Sequence, residues 1–197
     1  MSPEEQRRIN NLLEKHSAVF SGTGLLKNEE VNFHIDPSVP PVMAPYHPIP
    51  LAYREKLSAH LQELRKADKI EDVKPQEHSP WVSNVVITEK KQFGQIRMNI
   101  DMRQAKRSLL RTIRHVDTIK EIRHKLTGPT RFSEMDMSYG YHQISLAEDS
   151  RAISTFQAHE GLHRFKVLFF GASPATMAES RLHWMGFLVA HQSMTIS

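Results

Sequence analysis

Apolar and polar positions recur along the chain with two periods, and each period picks out its own elements. Near the start, Ile9, Leu12 and Leu13 follow helical spacing behind Ser2-Pro3-Glu4-Glu5. Ser2 suits the N-cap, Pro3 the first helical position and Glu5 the far side of a capping box. This helix is over by Ser21-Gly22-Thr23-Gly24. Val31, Phe33 and Ile35 alternate with Asn32 and His34, the pattern of an exposed strand. Six prolines between residues 37 and 50 exclude helix and central strand, so that stretch is an extended arm. Tyr53, Leu57, Leu61 and Leu64, spaced 4, 4 and 3 apart, predict a helix over 51–67.

The strand period then returns. Val85-Val86-Ile87 and Ile96–Ile100 flank a basic, Gly-containing connection, Glu89–Gly94, and read as a hairpin. In its second strand Ile96, Met98 and Ile100 share one face, and Arg97 and Asn99 the other. A basic stretch over 103–126 has the makings of a helix, and a strand follows at Phe132–Met137. Two further strands, Ile153–Ala158 and Arg164–Leu168, surround a turn at Glu160-Gly161. Ser173-Pro174 opens a last helix with Ala178, Leu182, Met185 and Val189 on one face. Helices and strands mixed without strict alternation predict an α+β fold with an antiparallel sheet packed on helices.

Composition narrows the classes. At 197 residues the chain has the length of one ordinary domain or two small ones. A net charge of +4 suits a polyanionic partner without requiring one. With no cysteine, a disulfide scaffold, thiolate zinc sites and a cysteine nucleophile are all excluded. The start is charged and no apolar run approaches the ~20 residues of a membrane span. The expectation is an intracellular chain with no membrane contact.

Three local patterns carry candidate chemistry. His159-Glu160-Gly161-Leu162-His163 spells the H-E-x-x-H of zinc peptidases, which hold two histidines on one helix face. Here Gly161 lies inside the motif and strand formers flank it, so it reads as a hairpin turn instead. Asp136 ends a predicted strand just before a turn, a place where a carboxylate can serve a metal, although Asp is more often simply a turn residue there. Lys90, Lys91 and Arg97 make the first hairpin basic, which means either a solvated loop or a phosphate clamp.

The order of the blocks changes their weight. HIDPSVPPVMAPYHPIP, LAYREKLSAHLQEL, SPWVSNVVITEKK, GQIRMNIDMRQA, LTGPTRFSEMDMSYGYHQISLAEDSRAISTF, HEGLHRFKVLFFG and ASPATMAE resemble, in sequence and order, the reverse transcriptase of gypsy-type LTR retrotransposons. The resemblance spans about residues 18–180. It implies a right-hand polymerase, with a helical leader over 1–30, fingers over 31–111, and a partial palm with an interleaved fingers hairpin over 112–197. By the same resemblance Asp136 matches the first catalytic aspartate, with the Met137 carbonyl as a further ligand to Mg²⁺. Tyr141 matches the aromatic beneath the incoming sugar, which excludes a 2′-OH. Lys90 and Arg97 match residues that hold the triphosphate, and Gly171 lies in the motif lining the nucleotide and template side. The implied partners are an RNA or DNA template–primer and dNTP.

The family's other two aspartates sit in a Tyr-X-Asp-Asp hairpin, and no such tetrapeptide occurs in these residues. Lys106 stands for a usual Asn, Glu134 for a usual basic residue, and Thr112–Thr118 lacks the family's proline. The expectation is a truncated fragment, inactive alone. The alternative from another class is a non-catalytic nucleic-acid-binding or interaction protein derived from a retroelement.

Overall fold

The computed structural model describes residues 2–27, 30–89, 95–110, 120 and 139–172. The first helix, α1 (Pro3–Lys15), starts with the capping box that its sequence spells, Ser2 and Glu5 each accepting the other's backbone N–H. None of its residues is buried, and Ile9, Leu12 and Leu13 stay exposed. The strand read over 31–35 shrinks to β1 (Glu30–Val31), with Phe33 buried beyond it. The proline arm runs on without regular structure, apart from a bridge between Met43 and Val82. Polar side chains fasten it: the Asn84 amide donates to Pro45 O at 2.9 Å, and the Gln157 amide to Ala44 O at 2.7 Å.

Helix α2 (Leu51–Lys66) falls where its periodicity puts it and buries Leu57, Leu61 and Leu64. It packs on β2 (Ile70–Asp72) and β4 (Ile96–Ile100), the latter paired antiparallel with β3 (Ser83–Glu89). Ile96 and Ile100 are buried and Arg97 is exposed, as the two-residue period requires. Beyond the turn that carries Tyr141 come β5 (Ser145–Leu146), the short α3 (Glu148–Arg151), β6 (Phe156–Ala158) and β7 (Gly161–Phe165).

Among the described residues five strands form one sheet in the order β2-β7-β6-β3-β4, while β1 and β5 form a second, two-stranded pair. The sheet is not wholly antiparallel as expected, because β3 and β6 run parallel, as do β1 and β5. Parallel neighbours need a long crossover, and more than sixty residues separate Glu89 from Phe156. The core below it is continuous, from Leu57 and Leu61 through Trp81 to Phe156, Phe165 and Phe169.

Three further expectations change. Over 103–110 there is a single 3₁₀ turn, Ala105–Arg107, in place of a helix. Met102, Ala105 and Leu109 are buried at helical spacing, but Leu109 bridges Ile35 and the Leu110 N–H donates to His34 O, which draws the chain out. The strand expected from Ile153 begins at Phe156, since Ala152–Ser154 is a 3₁₀ turn. The strand expected over Arg164–Leu168 is β7, already running at Gly161. The expected strand at Phe132–Met137 and the last helix from Ser173 lie outside the described residues.

Candidate nucleotide-binding site

The H-E-x-x-H residues do not converge. His159 and Glu160 form the loop between β6 and β7, whereas His163 lies inside β7. His159 Nε2 lies 3.0 Å from Ser58 Oγ and His163 Nδ1 lies 2.7 Å from Asp72 Oδ1, so the two rings serve different partners. Asp72 is held below the usual carboxylate range: burial opposes this, but hydrogen bonds from Arg65 and His163 outweigh it.

The chain around Tyr141 is built differently. Tyr139 takes the left-handed conformation, φ +52°, which is rare for a residue with a Cβ. It leads into a 3₁₀ turn, Gly140–Gln143, that lifts the Tyr141 ring edge-on against Phe170, with centroids 4.6 Å apart. Phe170 is half exposed. The next residue, Gly171, has φ +98°, and a Cβ built there would lie 3.6 Å from Ile100 O at the end of β4. Arg97 extends from the exposed face of the same strand, three residues away and therefore about 10 Å along it.

Tyr141, Gly171 and the end of β4 thus adjoin. Lys90, Asp136 and Met137 lie outside the described residues. Reverse transcriptases imply Mg²⁺ in general, yet among the described residues no group of three or more His, Asp or Glu side chains could hold a metal ion.

Behind Tyr141 sits a residue that the sequence reading passed over. The His142 ring stacks on Tyr139 (5.9 Å) and meets Phe165 and Phe170 (each 6.3 Å). Burial, then the nearby charges of Lys69 and His60, push its pKa down to about 4. Lys69 itself is buried, and its ammonium donates to His142 O at 2.9 Å. In the sequence it sits in a charged run, Arg65-Lys66-Ala67-Asp68-Lys69, which reads as surface.

No protein-family model matches the chain. It is 30% identical over 151 residues to the retrovirus-related Pol polyprotein from transposon 412 of Drosophila melanogaster, a match covering 75% of this chain and 12% of that one. An uncharacterized Caenorhabditis elegans protein is 26% identical over 156 residues, 78% of this chain and 12% of that protein. Among solved structures, the prototype foamy virus protease–reverse transcriptase matches with a TM-score of 0.80 at 15% identity, covering 96% of this chain and 25% of that one. The foamy viral enzyme in complex with an RNA/DNA hybrid matches with a TM-score of 0.74 at 18% identity, over 96% of this chain and 26% of that one. The chain therefore spans about an eighth of these curated relatives' length. It is distantly homologous to retroelement Pol polyproteins and has the mixed α+β fold found within a foamy virus reverse transcriptase.

Proposed function

We propose that this chain is the fingers and first palm portion of a gypsy-type reverse transcriptase, with leader, fingers and partial palm divided near residues 30 and 111. The reaction it serves is the templated addition of dNTPs to a primer 3′-OH. The observation that carries this reading is the contact of Tyr141 with Phe170, beside Gly171 and against the end of β4. An aromatic ring on a strained turn, next to a glycine held at positive φ, suits the sugar of a nucleotide. Tyr141 would pack beneath that sugar and collide with a 2′-OH. Arg97, and Lys90 seven residues before it in the sequence, would neutralise the triphosphate, Arg through its planar fork and Lys as a point charge.

Asp136, with the Met137 carbonyl, is the candidate ligand for Mg²⁺. The ion supplies activation of the 3′-OH and stabilisation of the leaving pyrophosphate. One aspartate does not hold a metal pair, and these residues contain no Tyr-X-Asp-Asp. No metal-dependent step is therefore assigned to this chain by itself. Such a protein would act inside the cell or in a virus-like particle. No helix among the described residues is long and apolar enough to cross a membrane.

The test has two arms. The 197 residues alone, given an RNA template, a DNA primer, dNTPs and Mg²⁺ or Mn²⁺, should yield no extension product. Joined to a palm segment bearing Tyr-X-Asp-Asp, they should extend the primer. Asp136→Asn should then abolish synthesis and leave hybrid binding nearly unchanged, because backbone phosphates are gripped by basic residues. Extension that survives Asp136→Asn would defeat the assignment. A joined protein that binds the hybrid but never extends it would favour the non-catalytic alternative.

A further inference from the structure

Carbonyls at the end of a short 3₁₀ turn must find partners outside it. For the turn carrying Tyr141 those partners are specific. Tyr141 O accepts the Ile144 N–H at 3.2 Å and Gln143 O accepts the Leu26 N–H at 2.7 Å. His142 O is left to the Lys69 ammonium, reaching from 73 residues away.

Lys69 is only 6% exposed, and among the described residues it forms no ion pair. Its neighbour Asp68 is occupied by Lys166, whose ammonium lies 2.6 and 2.7 Å from the two carboxylate oxygens. A buried ammonium without a carboxylate is costly. Burial accordingly pulls its pKa down, with Asp68 opposing in part. The backbone of Lys69 is fixed on both sides, its N–H donating to Leu64 O and its carbonyl accepting the Lys166 N–H, each at 2.9 Å. The side chain is thus anchored between α2 and β2 and aimed at one carbonyl. A methionine would fill that volume without the cost of a buried charge.

We infer that Lys69 is a positioning residue of the nucleotide site: its ammonium clamps the His142 carbonyl and so fixes the turn that holds the Tyr141 ring against Phe170. This rests on the reading of Tyr141 as the residue beneath the sugar. Exclusion of a 2′-OH by a ring depends on where the ring stands, and a shift of about 1 Å is enough to alter such a site. Lys69 touches no substrate in this scheme and acts through the turn alone.

The experiment uses the full chain, with dUTP and UTP, which differ only at the 2′ position, titrated separately while the Tyr141 aromatic resonances are followed by NMR. Wild type should favour dUTP by about tenfold, the lower end of what one steric contact supplies. Lys69→Met should narrow that ratio to about twofold or less and shift the Tyr141 resonances in the free protein. Lys69→Arg, which keeps a charged donor, should restore most of the preference. If the Met variant does not fold, Lys69→Gln takes its place: its donor is one atom short of the carbonyl, so it should narrow the ratio as well. A merely structural lysine would lower the thermal midpoint and leave the dUTP-to-UTP ratio intact in every folded variant, and that result would overturn the role of Lys69 alone. Wild type that binds neither nucleotide would overturn the reading of Tyr141, and this proposal with it.

Discussion

Single residues at the Tyr141 turn carry two consequences that can be measured separately. In a chain completed with a Tyr-X-Asp-Asp palm, Tyr141→Val should raise ribonucleotide incorporation relative to deoxyribonucleotide by about 10–200-fold, the usual worth of one steric contact in a pocket. Competition of dNTP and rNTP on one template measures it, and an unchanged ratio would remove Tyr141 from that role. His142 governs a different quantity. Its pKa is about 4 in the folded chain against an ordinary 6.5, so between those values the unfolded state binds a proton that the folded state does not. Stability is therefore full above 6.5 and should decline as pH falls through this window, levelling below about 4. His163 shifts in the same direction, because burial outweighs its hydrogen bond to Asp72. Urea midpoints across the window should follow this slope, and His142→Phe should flatten it. A slope identical in wild type and variant would place the titration elsewhere.

At the scale of elements, the two long helices among the described residues differ in what holds them. Leu61 on α2 is wholly buried, and Leu61→Ala should cost about 2–5 kcal/mol in urea unfolding. Leu12 on α1 is exposed, and Leu12→Ala should stay within about 0.5 kcal/mol. Equal losses would mean that α1 packs on something in solution. The same contrast explains what could be read in advance. Helix α2 and the β3–β4 hairpin carry their burial pattern in their own spacing, and both were legible. Strand β2 was not, for Ile70-Glu71-Asp72 has no period and becomes a strand only by pairing with β7, where Arg164 meets Glu71 and His163 meets Asp72. The 103–110 segment misleads for the opposite reason, its helical spacing being overruled by the pairing of Leu109 with Ile35. At the site, the roles given to Tyr141 and Gly171 came from resemblance, not from any period in the chain. Lys69 was hidden by its charged neighbours, because only the folded chain brings His142 O to its ammonium.

For the whole molecule, charge sets how it meets a nucleic acid. Arg97, Arg103, Lys106 and Arg107 are exposed on or just beyond β4, although Arg103 is partly offset by Asp101 at 2.6 Å. Binding to an RNA–DNA hybrid should be weak, roughly 10⁻⁴–10⁻⁶ M, with little sequence preference and a steep fall with salt. Lys90→Ala combined with Arg97→Ala should reduce the salt slope by about one to two, one for each lost phosphate contact. Affinity indifferent to salt would exclude this mode. The order of strands has a further consequence for how the protein is made. Strand β2 ends at Asp72 and its partner β7 starts at Gly161, with β6 between β7 and β3 in the sheet. At about 5–20 residues per second, a ribosome needs roughly 5–20 s to travel from one to the other. Late in that interval β2 and the edge of β3 that will receive β6 wait without partners, and the apolar face of α2 has only part of its cover. The nascent chain is then a natural client for chaperones that hold extended apolar segments, until translation delivers the strand that closes the sheet.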